Sequence, residues 1–178
     1  VISSVSYAIE DSTLIPIITR SQNLSKIKEG KPFSIGLLQD EQAHIVRVCN
    51  SSGYYAFSKD NVLFSADTTH GPDSVALVIS IKKTTENSLK QHVVRKTTIN
   101  QNYNLNSRQS RQQSEQPVLL DTIKATHIKD KTIQQANFID ENVRYSLFRV
   151  ERTQRIMSSY PLIKLVNIEF KQSAEQPN

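Results

Sequence analysis

FSIGLLQDEQAHIVRVCNSSGYYAFSKDNVLFS, residues 33–65, decides the fold. Four short runs stand out in it: 33–39, 44–49, 54–58 and 61–65, each rich in β-branched and aromatic side chains. Asp40-Glu41, Asn50-Ser-Ser-Gly53 and Lys59-Asp60 separate them. Short strands joined by turn residues at such spacing are the mark of a sandwich or barrel. The stretch therefore predicts an all-β fold.

The flanks fit that expectation. Residues 2–9 alternate partly, with Ile2, Val5 and Tyr7 on one side. Residues 13–19 are apolar but hold Pro16, which cannot donate to a ladder and so points to an edge strand. Glu29-Gly30-Lys31-Pro32 reads as a turn. Residues 66–73 form a longer loop. In 74–83, Val75, Leu77, Ile79 and Ile81 alternate with Ala76, Val78 and Ser80, so both faces are apolar and the strand is central. A further strand is expected over 91–99.

Residues 100–117 (NQNYNLNSRQSRQQSEQP) carry two apolar side chains, Tyr103 and Leu105, and read as a polar linker or loop. Structure resumes over 118–170. Residues 118–128 alternate, and 132–138 are short and mixed. Residues 141–157 have two readings. Asp140 is a helix N-cap beside the stripe Ile139, Val143, Leu147, Val150, Gln154 and Met157; alternatively Val143, Tyr145 and Leu147 are one face of a strand. Tyr145, Phe148 and Val150 suit a pleated surface and favour strand up to Arg152. Residues 162–170 read as a strand, and 171–178 as a frayed tail. No internal repeat is evident. The expected architecture is a sandwich-like antiparallel domain over 1–99, joined by 100–117 to a smaller C-terminal β-rich or α+β part over 118–170.

The chain has 178 residues, 22 Lys+Arg against 17 Asp+Glu, one Cys and four Gly. No apolar run is long enough to span a bilayer. A lone Cys49 excludes a disulfide framework and a multi-cysteine zinc site. No glycine-rich phosphate loop is present. None of His44, His70, His92 and His127 stands at ligand spacing from another. Cys49 and His44, five apart on one strand, would face opposite ways. Asp67-Thr-Thr-His70-Gly-Pro-Asp73 offers cation ligands, but the same residues build a turn. Pro72-Asp73 with Glu169-Phe-Lys171 echoes a magnesium-dependent nuclease pattern. No cofactor is implied.

Two surface features remain. Tyr54, Tyr55 and Phe57 form an aromatic cluster of the kind that anchors a partner. The net charge is +5, and seven basic residues against one acid lie between 82 and 111 (Lys82, Lys83, Lys90, Arg95, Lys96, Arg108, Arg111), a stretch fit for polyanion contact. Arg144, Arg149, Arg152 and Arg155 interleave with Tyr145 and Phe148, a mixture that stacks bases and neutralises phosphates. These features lean away from catalysis. The expectation is a binding or assembly subunit, such as an envelope, adhesion, secretion-apparatus or capsid-like component. It would meet protein partners or its own copies through strand edges and an ordering loop. A chain that starts at Val1 suits a processed, extracytoplasmic or secreted protein. The alternative is a basic nucleic-acid-binding domain, with or without metal-dependent cleavage.

Overall fold

The computed structural model describes residues 1–69, 73–100 and 128–171. It is a mixed α/β protein, which overturns the all-β sandwich. Among the described residues the elements run β1 (Ile2–Ile9), α1 (Ile15–Ser21), α2 (Ile35–Ser51), β2 (Val62–Asp67), β3 (Val75–Ile81), β4 (Val93–Val94), α3 (Asp130–Ala136), β5 (Val143–Arg144) and α4 (Leu147–Ser158).

β1, β2 and β3 fall where alternation placed strands. They form one sheet of order β1-β3-β2, with β3 parallel to β1 and antiparallel to β2. The strands expected over 33–39 and 44–49 are instead one helix, α2. Its buried residues, Glu41, Ile45 and Cys49, are spaced by four, the repeat of a helix face rather than of a strand. Ser34 caps it, its hydroxyl accepting from the Leu37 N–H (3.2 Å). The edge strand expected around Pro16 is also a helix. Pro16 stands in the first turn of α1, where its missing N–H costs nothing. The helices bury Ile18, Ile45 and Cys49 with Ile2, Val62, Leu77, Ile79 and Ile81 of the sheet.

In the C-terminal part, strand up to Arg152 gives way to α4, which ends at Ser158; the strand component of that stretch is only Val143–Arg144, paired with Val93–Val94. Residues 132–138 are mostly α3. The strand expected over 162–170 carries no ladder among the described residues. Its side chains still alternate: Val166, Ile168 and Phe170 are half-buried, and Leu165, Asn167 and Glu169 exposed. Ile133, Ala136 and Met157 make a second core, joined by Ile163 and Val166. The stretch 101–127 and the tail 172–178 lie outside the described residues.

The expectation of no internal repeat fails on local geometry. The Lys26 N–H donates to Glu41 Oε2 (3.1 Å), and the Phe138 N–H donates to Thr153 Oγ1 (2.9 Å). Ser25 closes a side-chain turn around Ile27, through Ile27 N–H to Oγ (3.2 Å) and Oγ to Ile27 O (3.3 Å). Asn137 closes the same turn around Ile139 at 3.1 and 3.2 Å. Gly30 (φ +79°) and Asn142 (φ +60°) each donate a backbone N–H to a strand, to Ile2 O (2.9 Å) and Val94 O (2.6 Å). Each left-handed residue stands four positions before the capping serine of a helix, Ser34 or Ser146. Ser25, Lys26, Ile27, Gly30, Ser34, Glu41 and Ile45 meet Asn137, Phe138, Ile139, Asn142, Ser146, Thr153 and Met157 at one constant separation along the chain. Residues 1–82 and the segments 91–100 with 128–171 are thus two versions of one strand–helix–helix plan. The side chains differ at most matched positions, so a scan for identities passes over it.

Candidate interaction surface

Among the described residues, the helices cover one face of the β1-β3-β2 sheet and leave the other open. Registered rows Ala8–Ser80–Leu63 and Ser6–Val78–Ser65 cross that open face. Ser4, Ser6, Ala8, Leu63 and Ser65 are exposed, and Val78 and Ser80 half-buried. Leu63 keeps 44% of its surface in water. Such small side chains let another backbone come close.

β2 is an outer strand of this sheet. Its first residue is tied down, because Gln42 Nε2 donates to Lys59 O (2.9 Å) and Val62 O (3.2 Å). Beyond that point, from Leu63 to Ala66, no backbone bond reaches its outer edge among the described residues. The corresponding edge of β1 is covered at its start, where Ile2 exchanges bonds with Gly30 and Lys31. An unpaired row of N–H and C=O groups is a template for an added strand. Sequence reasoning missed Leu63 and Ser65. The signal was present in the alternation of Leu63 and Ser65 with Val62 and Phe64, which sets two apolar residues inward and leaves an apolar one outside.

The aromatic cluster divides. Tyr54 and Phe57 are buried, and Tyr55 is 46% exposed. Gly53, at φ +109°, turns the chain so that Tyr54 enters the core. Its hydroxyl meets Thr13 Oγ1 (2.8 Å) and accepts from Gln91 Nε2 (3.3 Å). Tyr55 turns instead to the C-terminal part. Its ring stands 5.0 Å from Tyr145, 5.6 Å from Phe170 and 5.9 Å from His92, and Tyr145 and Phe170 meet at 5.2 Å. Burial, then the neighbouring Tyr55 and Glu151, holds the Tyr145 hydroxyl above its ordinary value.

The basic residues are spread over several elements. Lys82 and Lys83 follow β3, and Lys83 pairs with Glu86 (3.3 Å). Arg95 and Lys96 are exposed just after β4. Arg144 is exposed on β5. Arg149 is paired with Asp140 (2.7 Å), and the Arg152 guanidinium lies 4.1 Å over the Phe138 ring. Arg155 closes the last turn of α4. Arg108 and Arg111 lie outside the described residues, as do His70 and His127. Asp73 stands in the turn before β3, and Glu169 lies in the C-terminal part, accepting from Asn167 (2.7 Å). Among the described residues, no three His, Cys, Asp or Glu side chains gather as a metal site. His44 and Cys49 share α2 rather than a strand. His44 Nε2 lies 3.4 Å from Ser21 O, and Cys49 is fully buried, which pushes its thiol up to about 12.

Two helices laid on one face of a mixed three-stranded sheet, followed by a second strand–helix–helix segment, define the class of fold. No family model matches the chain, and no curated protein does. Among solved structures it resembles the crystal structure of Haemophilus influenzae BamA POTRA3-5, with a TM-score of 0.52 at 13% identity. The match covers 93% of this chain and 52% of the other, so this chain spans about half the matched length. At that identity the likeness is one of fold. Among the described residues, no helix is long and apolar enough to cross a membrane.

Proposed function

We propose that this chain is a non-enzymatic protein-binding module, an assembly subunit that takes extended segments of partners onto its sheet edges. The observation that carries this reading is the outer edge of β2. It is free of backbone bonds from Leu63 to Ala66 among the described residues and adjoins an open face of small side chains. Strand addition uses main-chain hydrogen bonds for affinity and alternate side-chain contacts for specificity. The fold likeness to BamA POTRA3-5 supports a module repeated along a chain. An envelope, adhesion or secretion-apparatus setting is the version of this reading we favour.

The test is a titration of the isotope-labelled chain with short extended peptides carrying apolar residues at every second position. Amide signals of 63–66 should shift, and Ala66→Pro, which removes an N–H on the outer edge, should weaken the effect at least about tenfold. Peptides that leave these amides unmoved would sink the reading.

A further inference from the structure

The two versions of the strand–helix–helix plan part company on the outer face of their second helix. At the separation that matches Lys26 to Phe138 and Ser34 to Ser146, Gly36, Asp40 and Ala43 of α2 correspond to Phe148, Arg152 and Arg155 of α4. All six are exposed. In the first version two small residues flank a carboxylate that is already paired, Lys26 Nζ to Asp40 Oδ2 at 2.8 Å. In the second, Phe138 stands for the lysine and Arg152 for the aspartate, and the guanidinium lies over the ring, 4.1 Å from its centre. The plan therefore works with a small, neutralised face on α2, yet carries a large, basic one on α4.

Positions 148, 152 and 155 are spaced by four and three, so they share one side of the helix. Phe148 keeps 57% of its surface in water. With Phe138 it lines an open hollow of about 290 Å³, whose other walls are Asn137, Asp140, Arg149 and Arg152. Small-molecule pockets begin at roughly 300 Å³, so the hollow suits one inserted side chain. The charges around it are unequal. Arg149 is neutralised by Asp140 (2.7 Å), Glu141 takes the Thr97 N–H (2.7 Å), and Glu151 pairs with Arg47. Among the described residues Arg152 and Arg155 have no carboxylate partner.

We propose that this face of α4 is a docking site for an acidic amphipathic helix of a partner protein. A helix presents side chains rather than a row of free backbone groups, so an added strand finds no template on it, whereas a partner helix satisfies its own backbone. The partner lies antiparallel to α4. Two carboxylates three positions apart in its first turns meet Arg155 and Arg152, where they also complement that helix's own dipole. A large apolar side chain four positions further on enters the hollow beside Phe148. This chain does not supply such a segment. None of its 17 acids stands three or four positions from another, so neither its own stretches nor a second copy offers the pair. Nucleic acid fits less well. With Tyr145 buried and Arg149 paired, one ring and two guanidiniums remain on about 10 Å of helix, too little for the roughly 4–16 nucleotides that a single-strand groove tracks. The site draws on no residue of the β2 edge and goes beyond the strand-addition reading.

The probe is an alanine–glutamine helix peptide of about fifteen residues, with two glutamates three apart and a phenylalanine four further on, titrated into the isotope-labelled full chain. Amides of 147–156 and of Phe138 should shift. Replacing both glutamates by glutamine should weaken binding about tenfold, and so should Arg152→Gln combined with Arg155→Gln in the protein. Phe148→Ala, at an exposed position, should weaken it severalfold. Arg152→Glu combined with Arg155→Glu should abolish it, and a peptide with lysines in place of the glutamates should bind that variant and not the parent. Four results would overturn the site: silence at 147–156, equal binding of the glutamine peptide, displacement of the peptide by a thymidine oligonucleotide at lower concentration, or shifts of the same amides on concentrating the free chain, with a dimer in light scattering. Shifts confined to 63–66 would remove this site and leave binding at β2 standing. Shifts at α4 with none at 63–66 would support it on its own.

Discussion

Gly30 and Asn142 hold one backbone conformation with two different residues. Both lie in the left-handed region, and a Cβ at Gly30 would meet nothing within 4 Å, so conformational strain alone decides what is tolerated there. Asn tolerates this region far better than a β-branched residue does. Gly30→Asn should therefore cost less than about 0.5 kcal/mol and Gly30→Val about 1–2 kcal/mol or more, read as shifts in the urea midpoint. Equal costs would mean that something other than φ sets the choice. Cys49 gives a prediction in pH. Its thiol is pushed up to about 12 from 9.0 by burial, so above pH 9 the unfolded chain releases a proton that the folded chain keeps. Stability from this group is complete below pH 9 and is lost as pH rises from 9 to 12, by up to about 1.4 kcal/mol per unit. Tyr7, raised by burial and then by Glu41, and Tyr145 steepen the fall above pH 10. Urea midpoints between pH 8 and 11.5 should decline, and Cys49→Ala should flatten the decline.

Helix α2 explains most of what the sequence reading missed. Its apolar residues come in clumps broken by Asp40-Glu41, each clump as long as a strand, and Val46 and Val48 add β-branched weight. The spacing by four from Leu37 through Glu41 and Ile45 to Cys49 was visible only if a glutamate was allowed on the buried face. Glu41 belongs there because its carboxylate takes the Lys26 N–H of the connection before the helix. Charge thus hid the periodicity. β3 was legible because a central strand announces itself on both faces. The open β2 edge was not legible, since which strands are outermost depends on order and not on any one segment. Thr153 does in α4 what Glu41 does in α2, with a hydroxyl in place of a carboxylate. Removing either acceptor strands a backbone N–H. Glu41→Ala should destabilise by about 2–4 kcal/mol, because it adds a cavity, and Thr153→Val by about 1–3 kcal/mol at nearly constant volume. Circular dichroism in urea measures both. If Thr153→Val left stability unchanged, the matched turns would be coincidental rather than two uses of one device.

The two cores communicate across a small junction. The His92 N–H donates to Gly53 O (2.8 Å), Arg47 of α2 pairs with Glu151 of α4, and the Tyr55 ring sits among His92, Tyr145 and Phe170. These links are unequal. Arg47 is 61% exposed, and an exposed ion pair contributes little once water and salt screen it. Tyr55 supplies three ring contacts at one spot, and aromatic pairs contribute about 0.5–1.5 kcal/mol each beyond the area they bury. Among the described residues the second core is also the smaller, with Ile133, Ala136 and Met157 as its buried centre, so it depends more on the junction than the first does. Tyr55→Ala should therefore lower the stability of residues 128–171 by about 1–3 kcal/mol and leave that of 1–82 almost unchanged. In the parent chain, amides of both parts should vanish together as urea rises. In Tyr55→Ala, those of α4 should go first, while Arg47→Ala should keep the single transition. If α4 and β3 still lost their signals at one common midpoint in Tyr55→Ala, the aromatic junction would not be what couples them. The coupling would then have to run through the backbone bond at Gly53.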